Sequence, residues 1–249
     1  MKRVGISALF CLVLSALWGG GIVDLSDPLE KVENGIDLQP FSTLILKGEM
    51  EVYISTGEKA SIQWSTSKAL LSQLSFFNWY GTQFISLETG LMGPRERGSL
   101  RLEITIPTSL EVLEIQEGVN LETAYWSHQG VLKIGVKDKS QILANLDVLG
   151  LILETTWNSK AEIRGLALDT RLIIRDGSTV KAEEWDSPNI EVEMRDAKAF
   201  VGGRPKIRGN IKKSSLLHIE EADIQKVEIW DTSEIEIISH NLQTPIVEP

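Results

Sequence analysis

Thiols are all but missing from this chain: Cys11 is the one cysteine in 249 residues. No intramolecular disulfide can form, and once the N-terminal segment that carries Cys11 is removed no thiolate metal site is possible either. Stability must then come from packing and from the backbone ladder. Cationic surplus is also missing. Twenty-five Lys and Arg stand against 35 Asp and Glu, for a net charge of -10, which excludes a nucleic-acid partner because phosphate binding needs clustered cations. There are only three histidines. A hydrophobic content of 42% with 24% charge is that of a folded globular chain, which excludes wholesale disorder.

The one long uncharged run lies at the start. Lys2 and Arg3 precede an apolar stretch from Val4 to Trp18, small residues follow at Ala16 and Gly19 to Gly21, and Asp24 is the first acid. This is the order of a secretory signal over residues 1–21, with cleavage expected after Ala16 or Gly21. The alternative is a retained anchor, because Val4 to Val23 is uncharged and long enough to span a bilayer. Phe10 before Cys11 does not suit a lipidation signal. Membrane attachment is therefore expected only through an uncleaved N-terminus, and the expected address is the periplasm, the cell envelope or the medium.

Residues 22–39 are polar and read as a linker or leading arm. Short runs with period-two apolar spacing follow at Phe41–Lys47, Met50–Ser55 and Ala60–Ser65, bounded by Gly48 and Gly57. Residues 68–79 could hold one short helix, residues 90–99 read as a loop, and Leu100–Ile106 reads as a strand ended by Pro107.

From Leu110 the sequence repeats. Val119, Ser140, Ser159, Ser178, Ala197, Ser215 and Ser233 are separated by 21, 19, 19, 19, 18 and 18 residues. Two residues after each anchor stand Leu121, Ile142, Ala161, Val180, Ala199, Leu217 and Ile235, all apolar; one after, the residues are polar except Leu216. The positions four after are apolar except Thr123. A second apolar strand precedes each anchor, as at Leu113/Ile115, Leu151/Leu153 and Ile207/Ile211. Adjacent columns of opposite character are what stacked strands require. The fold expected is all-β, a parallel β-solenoid (β-helix) with rungs of about 19 residues. It divides into an N-terminal β part over 40–109, regular rungs over 110–240 and a tail at 241–249. The serines at Ser140, Ser159, Ser178, Ser215 and Ser233 suit tight corners, where their hydroxyls can satisfy turn amides.

Pro40-Phe41, the alternation Leu44/Leu46, Gly48, Val52/Ile54 and the Gly57 turn run in a fixed order into Leu102-Ile104-Ile106-Pro107. Corners such as Asp176-Gly177-Ser178-Thr179-Val180 follow. In these features the region from Pro40 to about Ile237 resembles the auto-transporter adhesin head GIN domain family. The resemblance implies an exported bacterial β-helix-like domain, and it brings no catalytic residues with it. Asp196-Ala197, Ser214-Ser215 and Thr232-Ser233 stand where a Gly-Ser pair is usual.

No reactive set converges. His128, His218 and His240 fall at different offsets from the anchors, so no three-histidine metal site is expected, and His218 reads as a solvated residue near Glu220 and Glu221. The column two before the anchors changes sign at Arg195 and Lys213, so it is no carboxylate ladder; Asp176 and Arg195 are expected to pair at the surface. No cofactor and no metal are expected. Trp126 and Trp185 share an offset three rungs apart, too far for one aromatic platform. Trp64, Trp79 and Tyr80, in the less repetitive half, are the candidates for a ligand surface. The function expected is an exported non-enzymatic binding, adhesin-like or structural envelope protein whose partner is a cell-surface glycan or a protein. The alternative is a carbohydrate-active β-helix enzyme, a polysaccharide lyase or hydrolase.

Overall fold

Alternating strands of this kind can bury one face only against copies of themselves, and the chain stacks them. The structure is a computed structural model that describes residues 31–88, 100–220 and 223–237. The expected signal at 1–21 with Cys11, the first part of the arm (22–30), the loop at 90–99, His240 and the tail at 241–249 lie outside the described residues.

The strands are β1 (Lys31–Asp37), β2 (Thr43–Lys47), β3 (Glu51–Gly57), β4 (Ser61–Ser67), β5 (Leu74–Trp79), β6 (Thr82–Leu87) and β7 (Arg101–Pro107). They continue with β8 (Val112–Gln116), β9 (Asn120–Val136), β10 (Gln141–Thr155), β11 (Lys160–Arg175), β12 (Thr179–Asp186) and β13 (Asn189–Arg195). The last are β14 (Lys198–Val201), β15 (Lys206–Lys212), β16 (Leu216–Ile219), β17 (Asp223–Ile229) and β18 (Glu234–Ile237). They form a parallel β-solenoid of about 6 turns with rungs of about 19 residues. The leading face, just after each corner, stacks β7, β3, the start of β9, β10, β11, β12, β14, β16 and β18. The trailing face stacks β6, β2, β8, the ends of β9, β10 and β11, and then β13, β15 and β17.

The inward column of the leading face is the one spaced two residues after the anchors. Leu121, Ile142, Ala161, Val180, Ala199, Leu217 and Ile235 pair in unbroken register. All but Ile235, on the last rung, are buried. Burial of a side chain such as Val180 stabilises by about 1.5–3 kcal/mol. The 21-residue rung carries its two extra residues as bulges opposite Leu143/Asn145 and Val148/Gly150. Thr123, the polar exception in its column, is buried there and accepts the Asn145 N–H through Oγ1 at 3.0 Å. On the trailing face the register differs from the spacing read in sequence. Leu151 lies beside Thr170, Leu153 beside Leu172, and Gly209 rather than Ile207 beside Val192.

The corners turn through left-handed backbone. Glu117-Gly118, Asp138-Lys139, Trp157-Asn158, Asp176-Gly177 and Lys213-Ser214 all have positive φ. Each small anchor then drops into the core. Ser140 Oγ accepts the N–H groups of Gly118 and Val119 of the preceding rung, both at 3.2 Å. Ser178 accepts from Ser159, Ser215 from Ala197 and Ser233 from Ser215, again at 3.2 Å. Ser159 and Ser215 also donate to carbonyls three residues back, those of Thr156 and Lys212, at 2.7 and 2.6 Å. The hydroxyls therefore staple rung to rung beside corner backbone bonds such as Gly118 N–H to Asp138 O, and satisfy N–H groups such as those of Val119 and Ser159 that those bonds leave out.

Three expectations change. The coil does not begin at Leu110: β2, β3, β6 and β7 already belong to it, and they stack out of chain order, with β6 and β7 outside β2 and β3. The linker carries a strand, because β1 lies antiparallel on β4, which itself lies antiparallel on β7. The helix read over 68–79 is one turn, α1 (Lys68–Leu71), capped by Ser67. Residues 74–79 instead form β5, antiparallel to β6. Leu70, Leu71, Leu74 and Phe77 fall at helical spacing, but a neighbouring strand edge outweighs local propensity.

Candidate binding groove

On the leading face the residue between two inward ones points out, and register puts one such side chain on every rung, about 4.8 Å apart. Arg101, Glu51, Asn120, Gln141, Lys160 and Thr179 make one row. Tyr53, Glu122, Leu143, Glu162 and Lys181 make the row beside it. Between them runs a shallow groove of about 680 Å³ lined by both rows. Each residue of the first row offers a hydrogen-bonding head, while Tyr53 and Leu143 give the second row apolar surface. Such a trough fits an extended chain lying along the solenoid axis.

The fixed charges are partly committed. Arg101 pairs with Glu103 at 3.3 Å, and Arg164 holds Glu162 at 2.6 Å and Glu184 at 3.6 Å. These carboxylates keep the Arg164 guanidinium above its ordinary pKa, the hydrogen bond that it donates to Glu162 contributing most. On the neighbouring stretch of the rung Tyr125 Oη donates to Asp147 at 2.7 Å, which raises the phenol above its ordinary value of 10.0. The trailing face carries its own network, Arg171 with Glu191 and Glu193, Arg175 with Glu193, and Arg208 with Glu191. It crosses three rungs, three arginines sharing two glutamates, and clips neighbouring strands together.

A family described as "Putative auto-transporter adhesin, head GIN domain" matches residues 40–220. The chain belongs to it. No curated protein matches the chain in sequence. Among solved structures, this GIN domain is similar to a putative adhesin from Bacteroides fragilis NCTC 9343 at 10% identity and a TM-score of 0.71, covering 84% of this chain and 96% of that one. It is also similar to a putative lipid binding protein from Parabacteroides distasonis ATCC 8503 (11%, 84% and 97%, TM-score 0.58). A putative adhesin from Parabacteroides merdae ATCC 43184 shows the same coverage at 11% identity and a TM-score of 0.52. At these identities the likeness is one of fold.

The residues singled out in sequence fall in different places. Trp64 of the GIN domain is 3% exposed and packs on Phe76 with ring centroids 5.3 Å apart, so it is core. Trp79 and Tyr80 form the tip of the β5–β6 hairpin, 59% and 92% exposed, with rings 5.4 Å apart. The three do not make one surface. Trp126 and Trp185 are buried, and Trp185 Nε1 donates to Thr170 Oγ1 at 2.9 Å. Trp157 and Trp230 are exposed, Trp230 under the Lys212 ammonium at 5.7 Å.

Two pairings differ from the sequence reading. His218 meets Glu236 on the next rung, 3.2 Å from Nδ1, and its ring lies 5.6 Å from that of Phe200. Arg195 is in register with Arg175 rather than Asp176, and no ion pair joins it to Asp176, because one extra residue in β12, opposite Glu162/Arg164, sets the trailing strands 20 residues apart. Among the described residues no three His, Asp or Glu converge on a point. The first groove row from Asn120 to Thr179 is the polar column one residue after each anchor; the second row, three residues after, and the trough between the two do not show in the spacing.

Proposed function

We infer that this GIN domain is an exported, non-enzymatic binding module of adhesin type that takes an extended ligand, a glycan or a peptide, along its leading face. One observation carries the reading: a groove six rungs long that presents one hydrogen-bonding side chain per rung from rigid strands. Rigid, evenly spaced donors and acceptors suit a polymer because little order is lost on binding. The names borne by the similar solved structures and by the family agree with a surface-binding role. Export rests on Lys2-Arg3 and the apolar run behind it.

The purified chain on a glycan array and against cell-wall fragments tests the reading. Retention of an extended ligand is expected, and the double replacement N120A/Q141A should weaken it at least about tenfold, two side-chain hydrogen bonds being removed. Failure to retain anything, or retention untouched by that replacement, overturns the groove. Release of reducing ends during the same incubation would point to the carbohydrate-active enzyme instead.

A further inference from the structure

The groove is not uniform along its length. At the end toward β3 it carries Glu51 and Glu122 beside Arg101, which Glu103 holds; at the other end stand Lys160 and Lys181, and Lys198 continues the row one rung beyond the groove lining. Register places Lys160, Thr179 and Lys198 in one row on three successive rungs, with Lys181 beside Thr179 in the next row. All three lysines are exposed, and none makes an ion pair with a described residue. Glu162, the register partner of Lys181, is taken by Arg164 at 2.6 Å. Glu122 is two rungs from Lys160, roughly 10 Å by strand spacing and about one Debye length in physiological salt. In a chain of net charge -10 three uncommitted cations on adjacent rungs stand out.

Phe200 follows Lys181 in register, half-buried, with its ring braced by His218 at 5.6 Å. It offers a fixed aromatic wall beside the ammonium groups. The negative face of an aromatic ring attracts polarised C–H groups, such as those on the apolar side of a sugar ring.

Resting on the groove reading above, we propose that the Lys160–Lys181–Lys198 end of the groove recognises a carboxylated sugar unit of a glycan. The ammonium groups take the carboxylate, Thr179 takes a hydroxyl and Phe200 packs on the ring. The Glu51 and Glu122 end takes uncharged units, with Asn120 and Gln141 meeting their hydroxyls. A flat array of anionic headgroups suits this site less well, because the cations stand in line along three rungs and the acidic end would face the same surface.

Titration calorimetry of the full chain with tri-galacturonate, with its methyl ester and with phosphatidylglycerol vesicles tests this. The acid should bind at least about tenfold more tightly than the ester, three exposed charge contacts being at stake. The difference should shrink as salt rises. K160Q/K181Q/K198Q should abolish the preference with an unchanged thermal melt, since all three side chains are in solvent, and F200A should weaken acid and ester alike. Equal binding of acid and ester, indifferent to the triple replacement, overturns the lysine site and leaves the groove standing. Vesicle binding that the triple replacement removes assigns the lysines to a membrane and overturns it too. Should neither sugar bind while the array retains another glycan, the carboxylate assignment falls alone; an empty array removes groove and lysine site together.

Discussion

The two ends of the repeat are built by different means. From β9 onward each rung rests on the one that follows it in chain order, about 19 residues away, and the same side-chain types recur at the same offsets. At the N-terminal end the rungs stack out of chain order and antiparallel strands are added. There β5 lies antiparallel on β6, β4 on β7 and β1 on β4, and these strands cover the open edges of the first parallel rung. An exposed parallel edge is a template for unwanted pairing, and an antiparallel cover is one way to blunt it. At the far end the inward-facing side chains of the last described rung remain open: Ile229 is 49% exposed, while Ile211, its register partner one rung back, is fully buried. Stacking alone builds the middle; a separate structure is needed to finish an end.

The largest test of this contrast places a charge in the repeating column. Val180→Asp or Ile219→Asp puts a carboxylate where no partner exists, and the loss should exceed about 4 kcal/mol, read as loss of the cooperative melt by circular dichroism. Thr179→Asp, one residue from Val180 and facing out, should stay within about 0.5 kcal/mol. Equal behaviour of the two would refute the register.

Glycines of the coil and of the N-terminal cap should also part company. Gly165 has φ +110° and an added Cβ would lie 1.9 Å from the Leu146 carbonyl oxygen, so Gly165→Ala should cost about 3 kcal/mol in urea unfolding. Gly81, at the hairpin tip, has φ +78° with nothing within 4 Å; Gly81→Ala carries only the left-handed strain, about 1 kcal/mol. If both cost the same, close approach between rungs is not what selects glycine in the coil.

Corner hydroxyls come next. Ser140→Ala strands the buried Val119 N–H, Gly118 keeping the Asp138 carbonyl, and Ser178→Ala strands that of Ser159; each should cost about 1–2 kcal/mol. In the cap, Ser75 meets Ser86 at 2.7 Å in solvent, and Ser75→Ala should be nearly silent. The smallest effect is a titration. Because the hydrogen bond to Asp147 raises the Tyr125 phenol, its contribution is present below pH 10 and is lost as pH rises through the higher folded value. The phenolate absorbance missing from Tyr125→Phe should accordingly correspond to a group that ionises above the ordinary tyrosine range.

What could be read beforehand follows the same division. The column through Leu121, Ile142 and Val180 was legible because the neighbour in space is the next unit in sequence, so spacing along the chain is spacing across the core. The strand at residues 74–79 was not, because its partner is decided by a hairpin at Tyr80-Gly81, both left-handed, rather than by any repeated pattern. Trp64 looked like a loop-borne ligand residue for the same reason: its burial depends on β1, β7 and Phe76 meeting over it. Of the groove, the sequence showed that outward positions exist. It did not show that two rows would enclose a trough, or that the lysines on β11, β12 and β14 would be left without partners while Glu162 turned to Arg164.

The sequence by itself determined the all-β class, the period near 19 residues, the inward columns and the small corners, since a stacked coil imposes one steric and solvation demand at each offset and the chain must repeat to meet it. The tertiary structure alone decided the reversed order of the first rungs, the antiparallel cap and the composition of the groove. Those depend on contacts made once, between segments whose spacing in sequence carries no trace of their spacing in the fold.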